Sequence, residues 1–354
     1  MHSLSCIRPL LLGVGILALM GCQKAVIEAD MPEPENVQAV AENSPVIARR
    51  ADPWVIREQV EGKPEYFFTA SVPAFDRIIL RKSNSLKGLA DAEEITIWQK
   101  HASGPMSLNI WAPELHRIDG VWYVYFAAGK AEEPFYIRMY VLKNSSDDPT
   151  HGTWEELGRV EGARDTFSLD ATQFALNGQQ YLAWAQQDDA KSYNTAILLA
   201  KLISPTEVGE PQAVLTEPLL EWERIGFKVN EGPAVLVKNG KIFLTYSASA
   251  TDHNYAMGLL WADANRDIMD AANWHKSPQP VFTTQPRLQR FGPGHNSFTV
   301  DEQGRDVMVY HARPYKELQG SPLTDGNRHA YMRLLDWDEN GMPVFHNTQP
   351  DRLK

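Results

Sequence analysis

Apolar and aromatic residues recur along this chain in short dense runs, each entered through a glycine-containing turn. The runs read Glu-Gly-Lys-Pro-Glu-Tyr-Phe-Phe-Thr-Ala (61 to 70), Asp-Gly-Val-Trp-Tyr-Val-Tyr-Phe-Ala (119 to 127), Asn-Gly-Gln-Gln-Tyr-Leu-Ala-Trp-Ala (177 to 185), Asn-Gly-Lys-Ile-Phe-Leu-Thr-Tyr-Ser (239 to 247) and Gln-Gly-Arg-Asp-Val-Met-Val-Tyr-His (303 to 311). Dipeptides such as Asn-Gly and Asp-Gly between apolar runs signal hairpins, because only residues tolerant of positive φ fit the tight turn. Each unit therefore reads as a β-meander. The turn glycines fall at 62, 120, 178, 240 and 304, a period close to 60 residues. A helical solenoid would show 3.6-residue periodicity, and a sandwich would turn at shorter intervals. A period that long, with about four strands per unit, fits radial repetition. The sequence predicts an all-β chain with one five-bladed β-propeller over 51 to 345, so a length that suggests two domains is overruled by the repeat.

Three acidic residues stand at corresponding places in three of the units. They are Asp52 in Ala-Asp-Pro-Trp-Val, Asp170 in Ser-Leu-Asp-Ala-Thr-Gln-Phe and Glu231 in Val-Asn-Glu-Gly-Pro-Ala-Val. Symmetry-related strands of a closed repeat converge on one axis, so carboxylates far apart in sequence are expected to share a pocket. Taken singly, an Asp before Pro is a common turn residue, Asp170 could satisfy a backbone amide, and Glu231 could be an exposed loop acid. Their common register is what points to acid/base chemistry.

The ends of the chain read differently. Arg8 precedes an apolar run from Leu10 to Met20, which is followed by Gly21 and Cys22. The run is too short for the about 20 residues that span a bilayer. It resembles a bacterial lipoprotein signal (1 to 22), in which Cys22 becomes the acylated first residue of a membrane-anchored protein. Gln23 after the cysteine favours the outer membrane by the same resemblance. Segment 23 to 50 is polar and acidic, with Met31-Pro32-Glu33-Pro34-Glu35, and reads as a flexible tether. Residues 346 to 354 read as a C-terminal tail. Cys6 and Cys22 are the two cysteines, so a processed chain would be held by its core rather than by a disulfide, and 43% hydrophobic and 10% aromatic residues suffice for that. A formal charge of −11 without a basic stripe argues against nucleic acid as a partner.

Five motifs in order carry a family resemblance: Ala-Asp-Pro-Trp-Val, Ile-Trp-Ala-Pro-Glu-Leu-His (110 to 116), Ser-Leu-Asp-Ala-Thr, Val-Asn-Glu-Gly-Pro-Ala and Gly-Pro-Gly-His-Asn-Ser-Phe (292 to 298). Together they resemble glycoside hydrolase family 43, most nearly its exo-acting α-L-arabinofuranosidases, over 51 to 345. The resemblance implies a five-bladed propeller and inverting hydrolysis, with Asp52 as general base, Glu231 as general acid and Asp170 as the third carboxylate that raises the acid's pKa. Inversion needs two carboxyl groups about 6.5 to 9.5 Å apart, leaving room for water. The resemblance also implies that His295 faces the propeller axis, where a calcium ion or a water cluster would sit. A structural histidine fits equally, since one His is no cage for a hard cation. By the same resemblance Arg333 would bind substrate hydroxyls, although a blade-edge salt bridge is the alternative.

Trp111 and Trp54 are candidates for the sugar platform, because an aromatic face suits the C–H side of a pentose. Phe75 and Phe227, in loops between strands, are further candidates. Asp336-Trp337-Asp338-Glu339-Asn340-Gly341 begins like an EF-hand loop, but Asn347 at position 12 and Pro343 rule that out and leave a hairpin turn. The expected substrate is an arabinose-containing polysaccharide or oligosaccharide. A β-xylosidase or endo-arabinanase of the same family is the alternative, followed by a non-catalytic sugar-binding propeller. The last has no use for three carboxylates in register.

Overall fold

The computed structural model describes residues 44–351 and is all β apart from four single-turn 3-10 helices. The signal segment, Cys22 and most of the tether lie outside the described residues. Five antiparallel sheets follow one another along the chain. Blade one is β1 (Ala51–Val60), β2 (Lys63–Ser71), β3 (Arg77–Ser83) and β4 (Ile95–Gln99); blade two is β5 (Leu108–Ile118), β6 (Val121–Lys130), β7 (Glu133–Asn144) and β8 (Glu155–Arg159). Blade three is β9 (Ser168–Leu176), β10 (Gln179–Gln186) and β11 (Ala196–Ser204), with β12 (Glu207–Val208) and β13 (Ala213–Thr216) both on β11. Blade four is β14 (Asn230–Lys238), β15 (Lys241–Ala248), β16 (Ala256–Asp263) and β17 (His275–Lys276). Blade five is β18 (Phe291–Val300), β19 (Asp306–Arg313) and β20 (His329–Leu334), and a two-stranded ribbon follows, β21 (Asp336–Trp337) with β22 (Pro343–Val344). The ribbon is the hairpin expected at 336 to 341.

The turn glycines do what the sequence predicts. Glu61, Asp119, Asn177 and Asn239 have φ near +50°, and the glycine after each is also positive. This is the pair of left-handed residues that a two-residue hairpin matched to strand twist requires. Blade five turns through a longer loop, in which the Asp301 carboxylate accepts from the N–H groups of Gln303 and Arg305.

The second strand of each blade is sandwiched between neighbours, which is why it reads as a continuous apolar run rather than an alternation. Phe67 packs with Trp122 between blades one and two, Trp184 with Tyr125 between two and three, and Ala183 with Leu244 between three and four. Phe243 packs with Met308 between four and five, and Phe68 with Val309 between five and one, closing the ring. Each large apolar side chain buried in this way contributes about 1.5–3 kcal/mol. Ile47, ahead of β1, bridges to Ala330 of β20, so the segment just before β1 covers part of the open edge of blade five. Residues 346–351, within the C-terminal tail read over 346 to 354, are also docked: Asp351 accepts from Arg290 Nη2 at 2.9 Å and from the Tyr310 hydroxyl.

The first strand of every blade starts at one face of the ring and carries a break in register close to that start. In each blade a residue at such a break is left-handed: Asp52 (φ 53°), Ala112 (43°), Asp170 (57°), Gly232 (54°) and His295 (43°). A bulge of this kind bends the strand and re-aims its side chains. Five bulges converge on one face, and the candidate site lies there.

Candidate active site

The register expected from the sequence holds for two of the three acids. Asp52 and Asp170 occupy the left-handed bulge position, as His295 does in blade five. Glu231 stands one residue earlier, at the place of Trp111 in blade two, and the bulge position of blade four belongs to Gly232. A Cβ on Gly232 would lie 3.0 Å from the His295 ring, so this turn of the backbone needs glycine for space as well as for φ. Because the two positions adjoin, Glu231 still reaches the same cavity. That cavity, about 580 Å³, is lined at its base by Asp52, Asp170, Glu231, His295, Arg328 and Trp111, and towards its mouth by Phe135, Phe227 and Leu323. Its size suits a ligand larger than one pentose.

In four of the five blades the N–H of the bulge residue is received by the blade before it. Ser71 Oγ accepts from Ala112 N–H at 2.7 Å, Asp170 Oδ2 from Gly232 N–H at 2.9 Å, Ser247 Oγ from His295 N–H at 2.8 Å and His311 Nδ1 from Asp52 N–H at 3.0 Å. Ser71, Ser247 and His311 all stand near the end of a second strand, which returns to the face where the first strands begin. These bonds tie the site together around the ring, and the last of them joins blade five to blade one.

Asp52 is surrounded by groups that favour its ionised form. Arg328 Nη1 donates to Oδ1 at 3.0 Å and the Ser71 hydroxyl donates to Oδ2 at 2.6 Å, while His295 Nδ1 lies 3.3 Å from Oδ1. Burial pushes its pKa up, but Arg328 and the two imidazoles more than offset this and hold it well below the usual carboxylate range. His311 is pushed down to about 3 by burial, so its ring is neutral, and a neutral ring whose Nδ1 accepts from a backbone N–H has no proton to give Oδ1. Burial also pushes His295 below its ordinary pKa, which leaves Arg328 as the full positive charge that keeps Asp52 ionised.

The environment of Glu231 is the reverse. Burial first, and then the Asp52 charge, push its pKa up to about 7, against the opposing pull of the Tyr255 hydroxyl, which donates to Oε1 at 2.8 Å, and of Arg328. Asp170 is pushed well above its ordinary value by burial, then by Glu231 and Asp52. Asp170 and Glu231 titrate as a pair, so the proton retained near neutrality belongs to both. Beneath them Glu114, bonded to His116 Nε2 at 3.0 Å, is pushed up by burial and by Asp170 and adds little negative charge.

Other candidates fall elsewhere. Trp111 lines the cavity and Phe227, 52% exposed, stands at its mouth. Phe75 packs edge-on behind Trp111, centroids 6.0 Å apart, and does not line the cavity. Trp54 is turned away: its indole N–H donates to Leu115 O at 2.8 Å and its ring packs on His116. Arg333 is at the far end of β20, where Nη2 donates to the carbonyls of His346 and Gln349. The arginine at the site is Arg328, which immediately precedes β20 at the face the cavity opens on. A strand that starts at that face brings its first residues to the site, and this was the signal for Arg328 over Arg333. His295 lies on the cavity floor against Asp52. Among the described residues no group of three or more His, Cys, Asp or Glu could hold a metal ion. One imidazole does not fit the oxygen cage that calcium needs, and no chemical step is assigned to such an ion.

The chain matches the model of Glycosyl hydrolases family 43 over residues 42–343. It belongs to that family. It is 53% identical over 280 residues, 79% of this chain and 84% of the relative, to an extracellular exo-alpha-(1->5)-L-arabinofuranosidase of Streptomyces chartreusis. A relative of the same description from Streptomyces avermitilis is 49% identical over 308 residues, 87% of this chain, and the match spans 63% of that relative's length. Among solved structures, an alpha-L-arabinofuranosidase from Lactobacillus brevis superposes with a TM-score of 0.83 at 45% identity, covering 88% of this chain and 98% of that one. As a family 43 member the chain has the five-bladed propeller that its repeat predicts.

Proposed function

We propose that this protein is an inverting, exo-acting α-L-arabinofuranosidase that removes terminal arabinofuranosyl residues from arabinan- or arabinoxylan-type chains. The observation that carries the reading is the opposite protonation preference of two carboxyls in one cavity: Asp52 held ionised by Arg328, and Glu231 pushed up to about 7 by burial. In the proposed step Asp52 takes a proton from water as the water oxygen bonds to the anomeric carbon. The glycosidic bond breaks on the opposite face, and Glu231 gives its proton to the leaving oxygen. Asp170, bonded to Gly232 N–H, fixes the turn that presents Glu231 and adds negative charge that favours the protonated acid. Trp111 offers a platform for the sugar and Phe227 one for the group beyond it. Ser321, Pro322 and Leu323, from the connection between β19 and β20, wall one side of the cavity and favour an end-on substrate.

Two relatives are named extracellular, in keeping with an exported enzyme. We infer in addition that Cys22 carries a lipid anchor, and a mature protein that starts elsewhere and lacks lipid mass would remove that inference. Activity is tested with aryl α-L-arabinofuranoside, aryl β-D-xyloside, linear arabinan and arabinoxylan. Monomeric arabinose as the product supports the reading, and a mixture of oligomers points to an endo-arabinanase. Proton NMR of the first minutes should show the β anomer before mutarotation. Initial α anomer would mean double displacement and a different role for Asp52.

A further inference from the structure

Asp52 and Glu231 are each fastened to one of two stacked rings. His311 of β19 accepts the Asp52 N–H on Nδ1 at 3.0 Å, and Tyr255, just ahead of β16, donates its hydroxyl to Glu231 Oε1 at 2.8 Å. The two rings are within 10° of parallel with centroids 5.7 Å apart, and both residues are buried. A continuous path therefore runs from blade one through blade five to blade four: Asp52 backbone, His311 ring, Tyr255 ring, Glu231 carboxyl. Gly294 makes room for it, since a Cβ there would lie 2.6 Å from the Tyr255 ring. Neither ring is among the groups that line the cavity, so both act through the residues they hold.

We propose that the His311–Tyr255 stack is a strut that sets the position of the general acid relative to the general base; this rests on the roles proposed for Glu231 and Asp52. The need for a strut follows from the fold. The two residues are on blades separated by a third, and inversion tolerates little error in their spacing, because a misplacement of about 1 Å can cost on the order of a hundredfold in rate. Strand pairing within a blade cannot fix a distance between blades. A rigid pair of aromatic rings can, because rings in contact resist sliding and carry few rotatable bonds.

Three variants separate a strut from two independent contacts. Tyr255→Phe keeps the stack and loses the bond to Glu231, so it should lower turnover of arabinobiose more than that of a nitrophenyl arabinofuranoside, which needs little acid assistance. Tyr255→Leu also loses the stack, and should lower kcat on the nitrophenyl substrate by about tenfold or more with KM little changed, because His311 no longer holds Asp52 in place. His311→Phe keeps the stack and leaves Asp52 N–H without an acceptor, with a loss of about the same size. In the double variant His311→Phe/Tyr255→Leu the losses should not multiply, since either change alone already breaks the path. Rates are taken per folded molecule, measured by near-ultraviolet circular dichroism. Should Tyr255→Leu not fold, His311→Asn, which keeps an acceptor near Nδ1 without the ring, takes its place and should show the same loss. Wild-type kcat in the stack-breaking variant, or losses that multiply in the double variant, would overturn the strut. Cleavage of the aryl β-D-xyloside in place of the arabinofuranoside would overturn the substrate assignment, and the same series on that glycoside would still decide the strut.

Discussion

Blade one and blade four present a carboxyl to one cavity from nearly the same point of the same repeat, yet the two groups are driven in opposite directions. Around Asp52 stand a guanidinium, a serine hydroxyl and a neutral imidazole, and the acid is held well below its ordinary pKa. Around Glu231 burial and then the Asp52 charge outweigh the Tyr255 hydroxyl and the more distant Arg328, and its pKa rises to about 7. Both are desolvated, so burial does not separate them. The lesson is that the repeat supplies position and the neighbours supply protonation state: one cation, Arg328, bonded to one carboxylate and not to the other, makes Asp52 the ionised one of the two.

Substitutions can break the comparison from either side. The largest effect is expected from Asp52→Asn, which removes water activation and should lower kcat on nitrophenyl and natural arabinosides alike, by about 10⁴-fold. Residual activity within tenfold of wild type would end the assignment of Asp52 as base. Next comes Glu231→Gln, expected to cost about 10²- to 10³-fold on arabino-oligosaccharides but far less on a nitrophenyl substrate, whose leaving group departs without a proton. Equal sensitivity of the two variants to leaving-group pKa would contradict the division of labour. Arg328→Met should reduce kcat/KM less, by tens of fold on the order of one charge-assisted hydrogen bond. It should also move the acid limb of the profile upward, because Asp52 loses the cation that keeps it ionised. An unmoved acid limb would mean that another group holds Asp52 down.

The smallest effect on the site is expected from Arg333→Gln. This residue ties 346–351 to blade five, so thermal stability should fall by about 1–3 kcal/mol while KM stays unchanged. A raised KM with normal stability would return Arg333 to the site.

The fold was readable because five copies of one pattern had to obey one rule. A buried middle strand is apolar throughout, and a two-residue turn demands left-handed residues, so 61, 119, 177 and 239 announce four blades, and the apolar run after Gly304 announces the fifth. The acids were readable because their strands begin at a shared face. What could not be read was how a side chain turns once the strand bulges: Trp54, two residues after Asp52, points into the contact between blades one and two. Nor does a period reveal partners supplied by the ends of other strands, so Ser71, Tyr255 and His311 went unnoticed. The family resemblance points to Arg333, which lies inside β20 and ties down residues 346–351, whereas the connection ahead of that strand carries Arg328, the arginine bonded to Asp52.

The central claim, that surroundings assign Asp52 the base and Glu231 the acid, is tested most directly by the pH dependence of kcat/KM in wild type and Glu231→Gln. Activity needs Asp52 without a proton and Glu231 with one, so wild-type kcat/KM should fall as pH rises through about 7, and its acid limb should lie well below the ordinary carboxylate range. In Glu231→Gln, assayed on a nitrophenyl arabinofuranoside, the basic limb should vanish and the acid limb should remain. A basic limb that persists near 7 in that variant would show that another group is the acid, and the account would fail.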